Sequence, residues 1–152
     1  MEVIDNFDGE YFFLSNFYRM PNGFTNEHLY QSEKTLNTKQ RYEILFADTP
    51  KRAKRLGRKC IMRPDWDDIK KDVMLELVRL KFEFPQLQTQ LLATGETPIV
   101  EGNYWHDQVW GNCTCEKHKN VEGQNILGKI LMVVREEVQW ETTLQGKNDN
   151  II

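Results

Sequence analysis

The sequence predicts a mainly α fold with a few short β-strands, gathered into a single compact domain. Three observations predict it. Apolar residues recur at helical spacing in two long segments, Trp66-Ile69-Val73-Leu77-Leu80 and Ile126-Leu127-Ile130-Leu131-Val134. Helix punctuation is frequent, with Thr49-Pro50, Asp65 and Pro85 placed as starts and Gly57 and Gly95 as stops. The length of 152 residues is enough for one continuous core and short for two.

Taken in order, the aromatic segment Tyr11 to Tyr18 reads as a short strand and a loop, and Pro21-Asn22-Gly23 marks a turn. Thr25 or Asn26 can cap a helix carrying Glu27 to Leu36, and Thr38 can cap another through Tyr42, Leu45 and Phe46. Thr49-Pro50 opens a basic helix that Gly57 ends. Asp65, followed by Asp67 and Asp68, caps an amphipathic helix that Pro85 stops, and Pro85 opens a shorter one closed by Gly95. Pro98 to Glu101 reads as a short strand, followed by an aromatic loop to Gly111. Asn125 is placed to cap a last helix, in which Gly128 lets a neighbour approach closely. The domain is drawn as 1–140, and 141–152 as a polar, frayed tail.

Composition narrows the classes. Apolar residues make up 39% and charged residues 28%, which is globular, and no apolar run reaches the roughly 20 residues of a membrane helix. The acidic start MEVIDNFDGEYFF lacks the features of a secretory signal, so a cytoplasmic setting is expected. Three cysteines do not make a disulfide framework. A net charge of −3 excludes a nucleic-acid binder that works by bulk electrostatics. Against that background Lys51, Arg52, Lys54, Arg55, Arg58, Lys59 and Arg63 stand in a stretch without an acid. The stretch is either a solvated basic face or a local grip on a phosphate-bearing ligand.

The string GFTNEHLYQSEKTL is the most informative in the chain. On a helix Glu27, Gln31 and Lys34 fall at i, i+4 and i+7 and project together, flanked by His28 and Tyr30. Turned outward, the stripe is an ion-paired surface. Turned inward, it brings a carboxylate and an amine into one pocket, the equipment of acid–base and covalent chemistry. Ser15, Asn16, Arg58, Trp66, Glu101, Asp107, Trp110, Gly111 and Asn125 stand at loop ends and helix starts in a set that no structural need explains. Asp107 can orient a water or a ribose hydroxyl, or make an Asx turn. Glu101 can cap a pocket or pair with Arg58. Trp66 lies on the apolar face of its helix, which favours the core, as does the aromatic character of Phe17, whereas Trp110 beside Gly111 is the better stacking platform.

The strings FLSNFY, NEHLYQSEK, AKRLGRK, LLATG, IVEG, Asp107-x-x-Trp110-Gly111 and GQNILGKILMVVRE together resemble the NADAR family, of which the YbiA-like N-glycosidases are members. The resemblance runs in order from about Phe12 to about Glu136. It implies a mainly α fold and hydrolysis of N-glycosidic bonds of ribose phosphates. The bond is that of ADP-ribose on guanine or of riboflavin-pathway aminopyrimidine intermediates. The family's EHxYQxxK motif falls on Glu27, His28, Tyr30, Gln31 and Lys34, so the resemblance implies Lys34 and Glu27 as catalytic; Asp107 is expected beside them, as the residue that orients a water or a ribose hydroxyl. Ser15, Asn16, Phe17, His28, Tyr30, Gln31, Arg58, Trp66, Glu101, Trp110, Gly111 and Asn125 are the expected substrate contacts. The expected partner is an ADP-ribose-containing substrate, including ADP-ribosylated DNA or RNA, with no membrane and no obligate protein partner. A module that binds ADP-ribose or NAD without turnover is the rival reading.

The segment after Trp110-Gly111, NCTCEKHKNVEG, is longer than the family's usual short glycine-rich link. Cys113, Cys115, His118 and His106 are metal-ligating types, but Cys-x-Cys with distant histidines lacks the paired spacing of structural zinc sites. The expectation is therefore no metal and no cofactor, and the resemblance implies none.

Overall fold

A computed structural model describes residues 2–149. The chain divides into two compact units: Ser15–Lys81, and Met1–Leu14 together with Phe82–Ile152.

In the first unit four helices follow one another: α1 (Asn26–Glu33), α2 (Thr38–Leu45), α3 (Pro50–Lys59) and α4 (Trp66–Lys81). The central one is α1, which packs against the other three. That position explains its composition, since Asn26, Glu27, His28, Tyr30, Gln31 and Ser32 are all buried. Thr25 caps α1 by accepting from the His28 N–H, Thr49 caps α3 by accepting from that of Arg52, and Pro50 takes the first turn of α3. Asn37, not Thr38, caps α2, its side chain accepting from the Gln40 N–H. Ile44 is the buried residue of α2, while Tyr42 and Phe46 stack on each other at the surface.

Two readings of this unit change. Gly57 does not end α3 but lies inside it, because a β-carbon there would fall 2.0 Å from Oε1 of Gln31 on α1. Glycine is needed here for close approach, not for termination. On α4 the buried face is Trp66, Met74, Val78 and Lys81, rotated from the expected Trp66-Ile69-Val73-Leu77-Leu80 stripe, and Leu80 is exposed. Asp65 spends its carboxylate on Arg63, at 2.6 and 3.1 Å.

In the second unit the segment expected as a strand from Tyr11 is a short 3-10 helix, Gly9–Leu14, that buries Phe13 and Leu14. Gly9 opens it at a φ of +56°. Then come α5 (Pro85–Ala93), β1 (Gly102–Asn103), β2 (Asn112–Cys113) and α6 (Ile126–Asp149). Gly95 closes α5 as expected, with a φ of +62° and its N–H on the Leu92 carbonyl. The strand expected at Pro98–Glu101 is reduced to a single bridge, Ile4 with Ile99, and the parallel β1–β2 pairing begins one residue later. Leu127, Leu131, Val134 and Val138 bury one face of α6, which packs against α5. Arg135 of α6 donates to the Thr97 carbonyl and the Thr94 hydroxyl. Residues 141–149, expected as a frayed tail, continue α6 with every side chain exposed, and the rest of that tail lies outside the described residues. Among the described residues no helix is long and apolar enough to cross a membrane.

Candidate active site

In the first unit the stripe on α1 turns inward. Glu27 is 7% exposed and its Oε1 accepts from Nε2 of Gln31 at 2.8 Å, one helical turn on. Burial is the largest influence on this carboxyl and pushes its pKa above the ordinary glutamate value, while the Gln31 hydrogen bond and the groups Lys54, Lys34 and His28 pull it back. Lys34, at the C-terminal cap of α1, is half-buried. Burial draws its amine below the ordinary lysine value, opposed by Glu27 and Cys60 and reinforced by the positive Arg58 and Lys54. Acid and amine are thus each pushed toward their neutral forms, which equips them for proton transfer and nucleophilic attack.

The residues around this pair hold it in place. The Lys34 carbonyl accepts from the Arg63 N–H at 2.7 Å, and its Nζ stands 6.0 Å from the centre of the Tyr30 ring. Tyr30 leans on Trp66, ring centres 5.0 Å apart, with Trp66 only 3% exposed. Trp66 therefore props the stripe from the core instead of presenting an open platform. His28 has both ring nitrogens engaged, Nδ1 with the Thr25 hydroxyl at 2.7 Å and Nε2 with the Ala47 carbonyl at 2.9 Å. A carbonyl can only accept, so Nε2 carries the proton. Asn16 accepts the Glu27 N–H at its carbonyl, and the Ser15 hydroxyl accepts from the Phe17 N–H in a local turn, with Phe17 exposed. Arg58 is exposed in the last turn of α3.

The other expected site residues lie in the second unit and form a set of their own. Asp107 makes the Asx turn, its Oδ1 accepting from the N–H groups of Val109 and Trp110 at 3.1 and 2.9 Å. Asn103 locks that turn by donating to the Asp107 carbonyl and accepting from its N–H. Gly111 is required because a β-carbon would meet the Glu101 carbonyl at 2.2 Å. Asn125 does not cap α6 with its side chain. At a φ of +50° it bridges the Glu101 N–H and the Ile99 carbonyl, while Gly128 makes the expected close approach to both Asn125 and Ile99.

Several residues of these sets escaped the sequence reading. Asn26 is 1% exposed and, among the described residues, neither polar atom of its amide has a hydrogen-bond partner. Lys81 is 2% exposed, donates to the Ser15 carbonyl at 2.9 Å, and is drawn by burial to a pKa of about 7. It shares the face of Met74 and Val78, but a lysine there gives no apolar signal in the sequence. Asn103, buried, and Cys60, whose thiol donates to the Gly57 carbonyl, carried no such signal. His106, Cys113, Cys115 and His118 bring one ligand atom each to within 4.8 Å of one another, despite their spacing in the chain.

Fold and site together define a mainly helical protein whose first unit carries an inward-turned acid–amide–amine stripe. The chain belongs to the NADAR family: the NADAR domain profile matches residues 6–139, without a break across both compact units. It is 38% identical over 143 residues to a riboflavin biosynthesis protein of Vibrio vulnificus (strain YJ016), an alignment covering 87% of this chain and 37% of that protein. It is 37% identical over 120 residues to the N-glycosidase YbiA of Escherichia coli (strain K12), covering 77% of this chain and 71% of the relative. The chain thus spans well under half of the Vibrio protein's length. The NMR structure of the E. coli protein YbiA superposes with a TM-score of 0.75 at 34% identity, over 93% of this chain and 88% of that one.

Proposed function

We propose that this chain is an N-glycosidase that hydrolyses the bond between a ribose phosphate and a base, its preferred substrate being ADP-ribose attached to guanine in DNA or RNA. The observation that carries the reading is the pairing of buried Glu27, pushed toward its protonated form, with Lys34, drawn toward its free amine. The names of the relatives called N-glycosidases support the bond class. The exposed cations of α3, Lys51, Arg52, Arg55, Arg58 and Lys59, support a substrate with several phosphates.

In this mechanism protonated Glu27 gives its proton to the departing base, which leaves with the bonding electron pair. The resulting carboxylate then stabilises the oxocarbenium-like sugar. The Lys34 amine bonds to the anomeric carbon, and the ring opens as its oxygen takes a proton given up by that nitrogen, leaving a protonated imine. Water adds to the imine and expels the amine, returning Lys34 and releasing the ribose phosphate, while Glu27 regains a proton. The net reaction adds one water across the glycosidic bond.

A second substrate, a riboflavin-pathway aminopyrimidine ribose phosphate, is favoured by the Vibrio and Zea mays relatives, both named as riboflavin biosynthesis proteins. The test is chromatography of an ADP-ribosylated guanosine oligonucleotide and of an aminopyrimidine ribose phosphate, each incubated with the protein. Release of ADP-ribose supports the first substrate and release of the pyrimidine the second. Binding of the oligonucleotide with neither product formed would mean a non-catalytic ADP-ribose module.

A further inference from the structure

The geometry points to a structural zinc site in the second unit: His106, Cys113, Cys115 and His118 close a Cys2His2 set around one zinc ion. The four ligand atoms all lie within 4.8 Å of one another. Cys115 Sγ is 3.3 Å from Nδ1 of His106 and 3.2 Å from Nδ1 of His118. Ligands at tetrahedral zinc, with Zn–S near ~2.3 Å and Zn–N near ~2.05 Å, are separated by roughly 3.3–3.8 Å, so small side-chain adjustments complete the shell.

Local structure assembles the set where the bare spacing does not suggest it. Cys113 is fixed by β2, opposite Asn103 of β1, and is 1% exposed. The turn closed by the His118 N–H on the Cys115 carbonyl, at 3.0 Å, folds the His118 ring back over the Cys115 sulfur. His106 approaches from the β1 side with its backbone at a φ of +73°, in the left-handed region that non-glycine residues seldom adopt. The two imidazole rings meet edge to face, centres 5.4 Å apart. Two sulfurs and two imidazole nitrogens are a zinc complement, and four protein ligands leave no open position, which makes the site structural.

Loading balances without a further reagent. Cys113 and Cys115 each release a thiol proton to solvent, and the histidines give neutral nitrogen lone pairs. Two thiolates then offset the charge of the ion. The ion would pin both ends of the segment carrying Asp107, Trp110 and Gly111. Gln108 already ties that segment together, its amide accepting from the Cys113 N–H and donating to the Val121 carbonyl. The inference does not depend on the glycosidase reading.

The test is elemental analysis of the full chain, purified under reducing conditions, given zinc and desalted, together with the absorption spectrum of the cobalt-loaded chain. About one zinc per chain is expected, with the thiolate charge-transfer and intense visible bands of tetrahedral cobalt. Cys115→Ser should weaken zinc binding beyond the roughly 10–100-fold typical of outer-shell losses, while His118→Cys, which keeps a ligand, should still load. Zinc removal from the unmodified chain should speed amide hydrogen exchange at residues 104–122, a readout that needs no variant to fold. Substoichiometric zinc in the reduced chain, an octahedral cobalt spectrum, or unchanged affinity in Cys115→Ser would overturn the site. So would a metal-free chain lighter by two hydrogens from a Cys113–Cys115 disulfide.

Discussion

Gly57 of α3 leaves the space that the Gln31 side chain of α1 fills: a β-carbon at Gly57 would lie 2.0 Å from Gln31 Oε1 and 2.8 Å from its Cδ. The same Gln31 amide donates to Glu27, so a helix–helix contact sets the orientation of the candidate acid's hydrogen-bond partner. Gly57→Ala should therefore act on chemistry as well as stability. Alanine would raise helix propensity by ~1 kcal/mol, but overpacking a buried contact costs about 1–3 kcal/mol, so the melting temperature should fall. Displacing Gln31 removes a bond that lowers the Glu27 pKa, so the limb that Glu27 contributes to the pH–rate profile should move up. Calorimetric melting and that profile check both effects.

The two shifted groups define the shape of that profile. Burial raises Glu27 above 4.5 and lowers Lys34 below 10.5, and the proposed reaction needs the first protonated and the second neutral. The fraction of molecules in that form is bell-shaped in pH, with apparent values that belong to the pair. Both limbs of kcat/KM should fall between 4.5 and 10.5. For folding the signs differ. A raised Glu27 makes stability fall as pH rises from 4.5 to its folded value, and a lowered Lys34 makes stability rise with pH from its folded value to 10.5. Denaturant titrations of the protein and of Glu27→Gln and Lys34→Met across pH would separate the two slopes.

The distinction among the α3 cations is also testable. Arg58, at the end of α3, is near enough to Lys34 to help lower its pKa, whereas Lys51 stands at the opposite end of the helix, both being exposed. Arg58→Ala should weaken ADP-ribose binding by about 10–150-fold, corresponding to the roughly 1.5–3 kcal/mol of a hydrogen bond to a charged group. Lys51→Ala should lose less than about fivefold, as for an exposed charge. Titration calorimetry reads the difference, and equal losses would remove Arg58 from the site.

Several helix starts and stops were legible from local signals: Thr49-Pro50, Pro85 and Gly95 act in the structure as their chemistry indicates. What was not legible depended on partners distant in sequence. Gly57 looks like a stop until Gln31 is seen against it, and Asn125 looks like a cap until Ile99 and Glu101 are seen to take its amide. A lysine at position 81 broke the apolar pattern and so hid the true register of α4, because a buried amine is not anticipated by a hydrophobicity rule. The inward turn of Glu27, Gln31 and Lys34 was one of two open readings, and it is decided by α1 being packed on three sides. The Asx turn of Asp107 was likewise one of two open readings, whereas the clustering of the sulfurs and imidazoles of the Cys113 segment depends on three-dimensional geometry.

Lys34 carries the sharpest prediction. Its amine is the one group in the stripe able to form an imine with an anomeric carbon, and burial together with Arg58 and Lys54 favours its neutral form. Lys34→Arg retains a positive charge and a long side chain but cannot form an imine. It should fold, bind ADP-ribose within a few-fold of the unmodified protein, and lose roughly 10³-fold or more in kcat, a loss of ~4 kcal/mol in the transition state. Borohydride added during turnover should reduce the imine and leave an adduct of the sugar phosphate on Lys34, located by peptide mass spectrometry and absent from the arginine variant. Turnover retained in Lys34→Arg, with no adduct in the unmodified protein, would leave Lys34 an electrostatic role. Glu27 would then act by activating water directly, and Glu27→Gln alone would abolish the reaction.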